Sequence, residues 1–86
     1  MIICNINLFS MSQEVFEADE NGMTTNIGKC TIEDLPRMLV QSCYKYKANT
    51  IRLYGNEHFI EELIPSIQEI NSLNYSNRIE IKVEVG

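Results

Sequence analysis

The chain opens on alternating side chains. From Ile2 to Phe9, the residues Ile2, Cys4, Ile6 and Leu8 share one face of an extended segment, and Ile3, Asn5, Asn7 and Phe9 share the other; this period of two marks a strand. Both faces are half apolar or more, which predicts a strand inside a sheet covered on both sides. Past a turn near Ser10 and Met11, Gln13–Ala18 reads as a second strand that stops at Asp19-Glu20-Asn21-Gly22. Asn-Gly is a strong hairpin signal because both residues tolerate positive φ. Met23–Lys29 then returns as a third strand of an antiparallel meander.

A helical period follows. Thr31-Ile32-Glu33-Asp34 resembles a capping box with Thr31 or Asp34 as N-cap, and Pro36 suits a first turn, so a helix starts between residues 31 and 35. Leu35, Met38, Leu39, Ser42, Cys43 and Tyr46 make a small or apolar stripe on one side. Arg37, Gln41, Tyr44 and Lys45 then face water, and Ala48-Asn49 ends the helix with Asn at a left-handed cap. Thr50–Tyr54 is a short β-branched and aromatic strand closed by Gly55-Asn56. Asn56 caps a second helix whose Glu57 complements the dipole. Its stripe is Phe59, Ile60, Leu63, Ile64, Ile67 and Ile70, and Pro65 is expected to kink or split it. Residues 71–78 read as a polar loop. In Ile79–Val85 the apolar Ile79, Ile81, Val83 and Val85 alternate with Glu80, Lys82 and Glu84, a strand with one dry and one wet face whose charges suit a sheet edge.

The order β-β-β-α-β-α-β over residues 1–86 predicts a single α/β (α+β) domain, a five-stranded mixed sheet with two helices. This order resembles the ribonuclease H-like fold, shared by each half of actin-like ATPases and by Holliday-junction resolvases, and the resemblance implies a sheet order of 3-2-1-4-5. Nucleases of that fold carry an acidic metal ligand in the first strand and another near the end of the fourth. Here the first strand offers the neutral amides Asn5 and Asn7, and the fourth ends in Tyr54-Gly55-Asn56-Glu57, where Glu57 alone could stand in. Phe9-Ser10-Met11-Ser12 also lacks the glycine of an actin-like phosphate loop. The resemblance therefore implies the fold without the activity.

Composition narrows the function classes. In 86 residues, 12 acids against 7 bases leave a net charge of −5, which opposes broad attraction to phosphate backbones, so direct nucleic-acid binding is not expected. No apolar run reaches membrane length and the start lacks a basic leader, so a cytoplasmic protein without membrane contact is expected. The three cysteines, Cys4, Cys30 and Cys43, form no C-x-x-C pair and read as reduced, mostly buried thiols. The abundance of Ile and Asn, the small size and the acidity resemble small proteins of phages that infect low-GC bacteria, which places the protein in the host cytoplasm.

The candidate ligand-binding cluster is Asn56, Glu57 and His58, which follows a strand and opens a helix, where open α/β sheets place ligands. The plainer reading makes Asn56 a cap, Glu57 a dipole partner and His58 a solvated residue. Glu14, Glu17, Asp19 and Glu20 lack the spacing of a calcium loop, and alternation sends Glu14 and Glu17 to opposite faces. Together with Glu57, Glu61, Glu62 and Glu69 they could form a surface that imitates nucleic acid. Tyr44-Lys45-Tyr46-Lys47 interleaves aromatics and bases, yet helical geometry turns Tyr46 to the core.

The expectation is a non-enzymatic accessory or regulatory protein acting through a protein partner or through itself as a homodimer. Glu80, Lys82, Glu84, Glu14 and Glu17 are its candidate contact residues; no catalytic or metal-ligating residue and no cofactor is assigned. One alternative is an acidic inhibitor of a host nucleic-acid-handling or defence enzyme, and another a degenerate metal-dependent nuclease using Glu57 and His58. If both helices cover one face of the sheet, the other face of the last strand and its neighbours becomes the interaction surface.

Overall fold

The computed structural model describes residues 1–7, 9–73 and 79–86. Seven elements run β1 (Ile2–Ile6), β2 (Ser12–Ala18), β3 (Thr24–Thr31), α1 (Leu35–Lys45), β4 (Thr50–Gly55), α2 (Glu57–Ser72) and β5 (Lys82–Val85). The sheet order is β3-β2-β1-β4-β5. β1–β2 and β2–β3 are antiparallel, while β1–β4 and β4–β5 are parallel. The expected mixed five-stranded sheet with two helices is therefore observed.

One face of the sheet holds the core. Ile2, Cys4 and Ile6 of β1, Val15 of β2 and Ile51 and Leu53 of β4 are buried together with Leu35, Leu39, Val40 and Cys43 of α1 and Ile60, Leu63 and Ile67 of α2. The register sets all the strand members on one face, so both helices lie on the same side. Among the described residues no helix lies over the opposite face, with Ile3, Asn5, Glu14, Phe16, Arg52 and Tyr54, and Ile3 and Phe16 take no part in the core. The two-sided cover expected for β1 is thus corrected: its second apolar face is bare sheet.

Several boundaries differ from expectation for local reasons. β1 ends at Ile6 rather than Phe9, because the Asn7 Oδ1 accepts from the Phe9 backbone N–H at 2.9 Å and turns the chain, leaving Phe9 91% exposed; Leu8 lies outside the described residues. Thr31 finishes β3 instead of capping α1; its hydroxyl donates to the Asp34 carboxylate, and Asp34 is the N-cap without a side-chain hydrogen bond to the helix. Val40 is buried and Tyr44 half-buried, because α1 packs against both the sheet and α2 and so needs a wider apolar stripe than one neighbour requires. The left-handed residue after α1 is Lys47 (φ 56°), not Asn49. α2 runs unbroken through Pro65 to Ser72, so the helix is not split and Asn71 belongs to it. Most of the expected polar loop, residues 74–78, lies outside the described residues.

β5 starts at Lys82, three residues later than alternation suggests. The backbone of Ile79 is engaged elsewhere: its N–H donates to the Tyr44 hydroxyl at 3.1 Å, and its carbonyl accepts from Asn71 Nδ2 at 2.8 Å. The Tyr44 hydroxyl in turn donates to Asn71 Oδ1 at 2.7 Å. This closed set ties α1, α2 and the approach to β5 together, and explains why Tyr44 does not face water.

Candidate functional site

Two regions gather polar chemistry. The first is a cleft of about 700 Å³ at the carboxyl end of β1, lined by Asn5, Asn7, Ser10, Ser12, Glu14, Lys29 and Asn56 together with Phe9 and Phe16. It lies where the antiparallel and parallel halves of the sheet meet. Two residues set the backbone around it, Gln13 from its lining and Gly55 just before Asn56. Gln13, only 1% exposed, accepts from the Asn7 backbone N–H through Oε1 at 3.0 Å and donates through Nε2 to the Asn7 and Ser10 carbonyls, each at 3.3 Å. A single buried amide thus satisfies the backbone of the β1–β2 turn. Gly55 (φ +115°) lets β4 cross the end of β1 closely enough for the Asn56 N–H to donate to the Ile6 carbonyl at 3.3 Å. A Cβ on Gly55 would fall 2.0 Å from that oxygen.

Of the three residues singled out for ligand binding, only Asn56 lines this cleft, and its Oδ1 accepts from the Phe59 N–H as the N-cap of α2. Glu57 and His58 are exposed on the first turn, and His58 Nε2 lies 3.4 Å from Glu62 Oε1 one turn on. The structure therefore does not bring the three into one site. Among the described residues no three His, Cys, Asp or Glu side chains converge in a way that could hold a metal ion. Every deeply buried side-chain nitrogen and oxygen among them already has a hydrogen-bond partner, so the cleft wall has no orphaned buried group aimed at a ligand.

The second region is the bare sheet face. Pairing places Phe16, Ile3, Arg52 and Glu84 in one row across four strands, with Asn26 beside Phe16 on β3. Arg52 donates from Nε at 3.2 Å and Nη2 at 2.8 Å to Glu84 Oε2, and from Nη1 at 3.4 Å to the Tyr54 hydroxyl. Lys82 Nζ adds a second cation 3.3 Å from Glu84 Oε1. The hydrogen bonds that Arg52 donates to Tyr54 and Glu84 push its guanidinium further toward its charged form, and Arg52 and then Lys82 hold the Glu84 carboxyl below its ordinary range.

The expected contact residues divide between surfaces. Glu14, Lys82 and Glu84 lie on the bare face; Glu17 points to the helix side, opposite Glu14 as alternation requires; Glu80 precedes β5 and is exposed. Sequence reading missed Arg52, Tyr54, Phe16 and Ile3 as members of this face. The signal for Arg52 was present, because a charge between Ile51 and Leu53 cannot share their buried side.

The thiols carry no activated nucleophile. Burial pushes Cys4 up to about 12 and Cys43 up to about 11; burial and then the Asp34 charge raise Cys30. No described helix is long and apolar enough to cross a membrane. Compared with known proteins, the chain matches no family model, no curated protein and no solved structure.

Proposed function

We propose that this chain is a non-enzymatic accessory or regulatory protein that works by protein–protein contact, with the bare face of its sheet as the contact surface. The observation that carries this reading is that five paired strands bury one face under two helices and leave the other, with Ile3, Phe16 and Tyr54 among charged neighbours, without a covering layer among the described residues. Sheets of this kind are ordinarily covered on their apolar faces, so apolar residues here mark a surface that gains by being covered. The non-enzymatic half is supported by three thiols held neutral and by a solvated His58 whose partner, Glu62, is equally exposed.

The strand order and the parallel β1–β4–β5 half support a ribonuclease H-like reading of the topology. The first strand offers the neutral amides Asn5 and Asn7 where the resemblance implies an acidic metal ligand, which supports a reading of the fold without the reaction. The test is photo-crosslinking in cells with benzoylphenylalanine in place of Phe16 and, as control, of Glu61 on the outer side of α2. Adducts from position 16 and none from 61 are expected. No adduct from 16, or adducts from 61 alone, would overturn the assignment.

A second reading, the acidic inhibitor, is supported by the exposed Glu57, Glu61, Glu62 and Glu69 along α2. It places the crosslinks at position 61 and makes the complex dissociate steeply with salt.

A further inference from the structure

We infer that the occupant of the bare face is a second copy of this chain, its sheet laid on the first about a twofold axis that runs along β1. The inference rests on the reading of that face as the contact surface, and three features point to a copy rather than to a strongly charged partner.

The first is charge. Among the described strand residues, the acids on the face are Glu14 and Glu84, alongside the bases Lys29, Arg52 and Lys82. These strand side chains carry one net positive charge in a chain whose net charge is −5. Stacking two such faces keeps the acidic outer side of α2, with Glu57, Glu61, Glu62 and Glu69, outermost and far from its copy, where solvent and salt screen it, while α1 carries only the bases Arg37 and Lys45. Self-association through the outer side of α2 would instead bring its four glutamates against those of the copy.

The second is area. The molecule measures 36 × 30 × 20 Å, the short dimension being that of one sheet and one helix layer. A face bounded by the two longer extents offers on the order of 800 Å², about what each partner contributes to a stable interface.

The third is register. β1 is the central strand with two strands on either side, so an axis along it sets β2 over the partner's β4 and β3 over the partner's β5. Phe16 and Arg52 are both level with Ile3, so each Phe16 meets the partner's Arg52 and the two Ile3 side chains meet at the axis. Arg52, held at its edges by Glu84 and Tyr54, keeps the faces of its guanidinium for an aromatic ring. Glu14, two residues before Phe16, comes over the partner's Tyr54, a hydrogen-bond donor. An in-plane axis across the strands would instead set Arg52 on Arg52 and Glu84 on Glu84, pairs that repel. The result is a four-layer assembly, helices outside and two sheets within.

Sedimentation equilibrium from about 5 to 200 µM tests this, with dissociation constants in the micromolar range expected for an interface of this size and polarity. The wild-type mass should double across the series. Phe16→Lys, which sets a cation against the partner's Arg52, should weaken the dimer at least about tenfold, one decade of affinity; Phe16→Trp should retain it. If Phe16→Lys does not fold by circular dichroism, Arg52→Ala, at a side chain already partly exposed, should show the same loss. A wild-type chain that stays monomeric to the top of the range, or a folded Phe16→Lys that dimerises like wild type, overturns the inference. A monomer whose position 16 still crosslinks to a different protein sinks the twofold and leaves the contact surface standing; no crosslink of any mass from position 16 sinks both.

Discussion

Gly55→Ala is expected to be the most damaging small substitution in the molecule. Two costs combine. A residue with a Cβ at φ +115° sits in backbone space that only glycine adopts freely, a strain of about 1–3 kcal/mol. The added Cβ would also lie 2.0 Å from the Ile6 carbonyl oxygen, 2.9 Å from its carbon and 3.1 Å from its nitrogen. These are backbone atoms of a central strand and cannot rotate away, so β1 and β4 must part at their ends and the Asn56-to-Ile6 hydrogen bond, worth about 1 kcal/mol, is lost. A total of about 3–5 kcal/mol follows from strain, hydrogen bond and displaced strand together. A domain of 86 residues has only about 4–13 kcal/mol in hand. The assay is urea unfolding followed by far-UV circular dichroism, since the chain has no Trp. With a slope near 1 kcal/mol per molar urea, the midpoint should fall by about 3 M or the variant should be unfolded from the start. Gly22→Ala is the control: it shares a positive φ (79°) but has no atom within 4 Å of the new Cβ, so it should cost only about 1 kcal/mol. Equal midpoints for the two variants, or a Gly55→Ala loss within 1 kcal/mol of wild type by this scale, would refute the close crossing of β1 and β4.

Lys47→Gly removes a left-handed lysine (φ 56°) from the end of α1 and should raise stability by about 0.5–1 kcal/mol; a midpoint that does not rise counts against that cap. Gln13→Leu should cost about 2–4 kcal/mol, because the Asn7 N–H and two turn carbonyls lose their buried partner, and amide exchange at Asn7 should quicken; unchanged exchange would show that water replaces the amide freely. In reductant, stability should hold below pH 9, the ordinary thiol value, and decline above it. There the unfolded thiols ionise while folded Cys43 and Cys4 stay neutral up to about 11 and about 12. The slope should be about 1.4 kcal/mol per pH unit for each thiol, and Cys4→Ala should lessen it. An alkaline slope untouched by Cys4→Ala would contradict the burial of that thiol.

The element order was legible because short-range periodicity reports which residues share a face. The alternation of Lys82 and Glu84 with Val83 and Val85, and the opposed directions of Glu14 and Glu17, needed no tertiary information. What periodicity does not carry is what lies above a face. Ile3 and Phe16 make the second side of the sheet look as dry as a covered one, and only the placement of both helices on the other side leaves it bare. Tyr44 and Ile79 failed for a related reason: their partners, in another helix and beyond a loop, are 27 and 35 residues away from Tyr44. The Asn56–His58 cluster followed a sound rule about helix starts, but the cleft opened toward the β1–β2 turn and took in Asn56 alone. Gln13 looked like an ordinary polar residue of a strand, and nothing local to it announces a buried amide.

The most direct measurement on the contact surface is hydroxyl-radical footprinting of Phe16 and Tyr54, read against buried Leu39 and exposed Phe9, in dilute purified protein and again in cells. Phe16 and Tyr54 should be modified in the dilute protein, when the sheet face is bare, and protected in cells, when it is covered, while Leu39 stays protected and Phe9 reactive throughout. Equal modification of Phe16 and Tyr54 in both settings would contradict a working state in which that face is the binding surface.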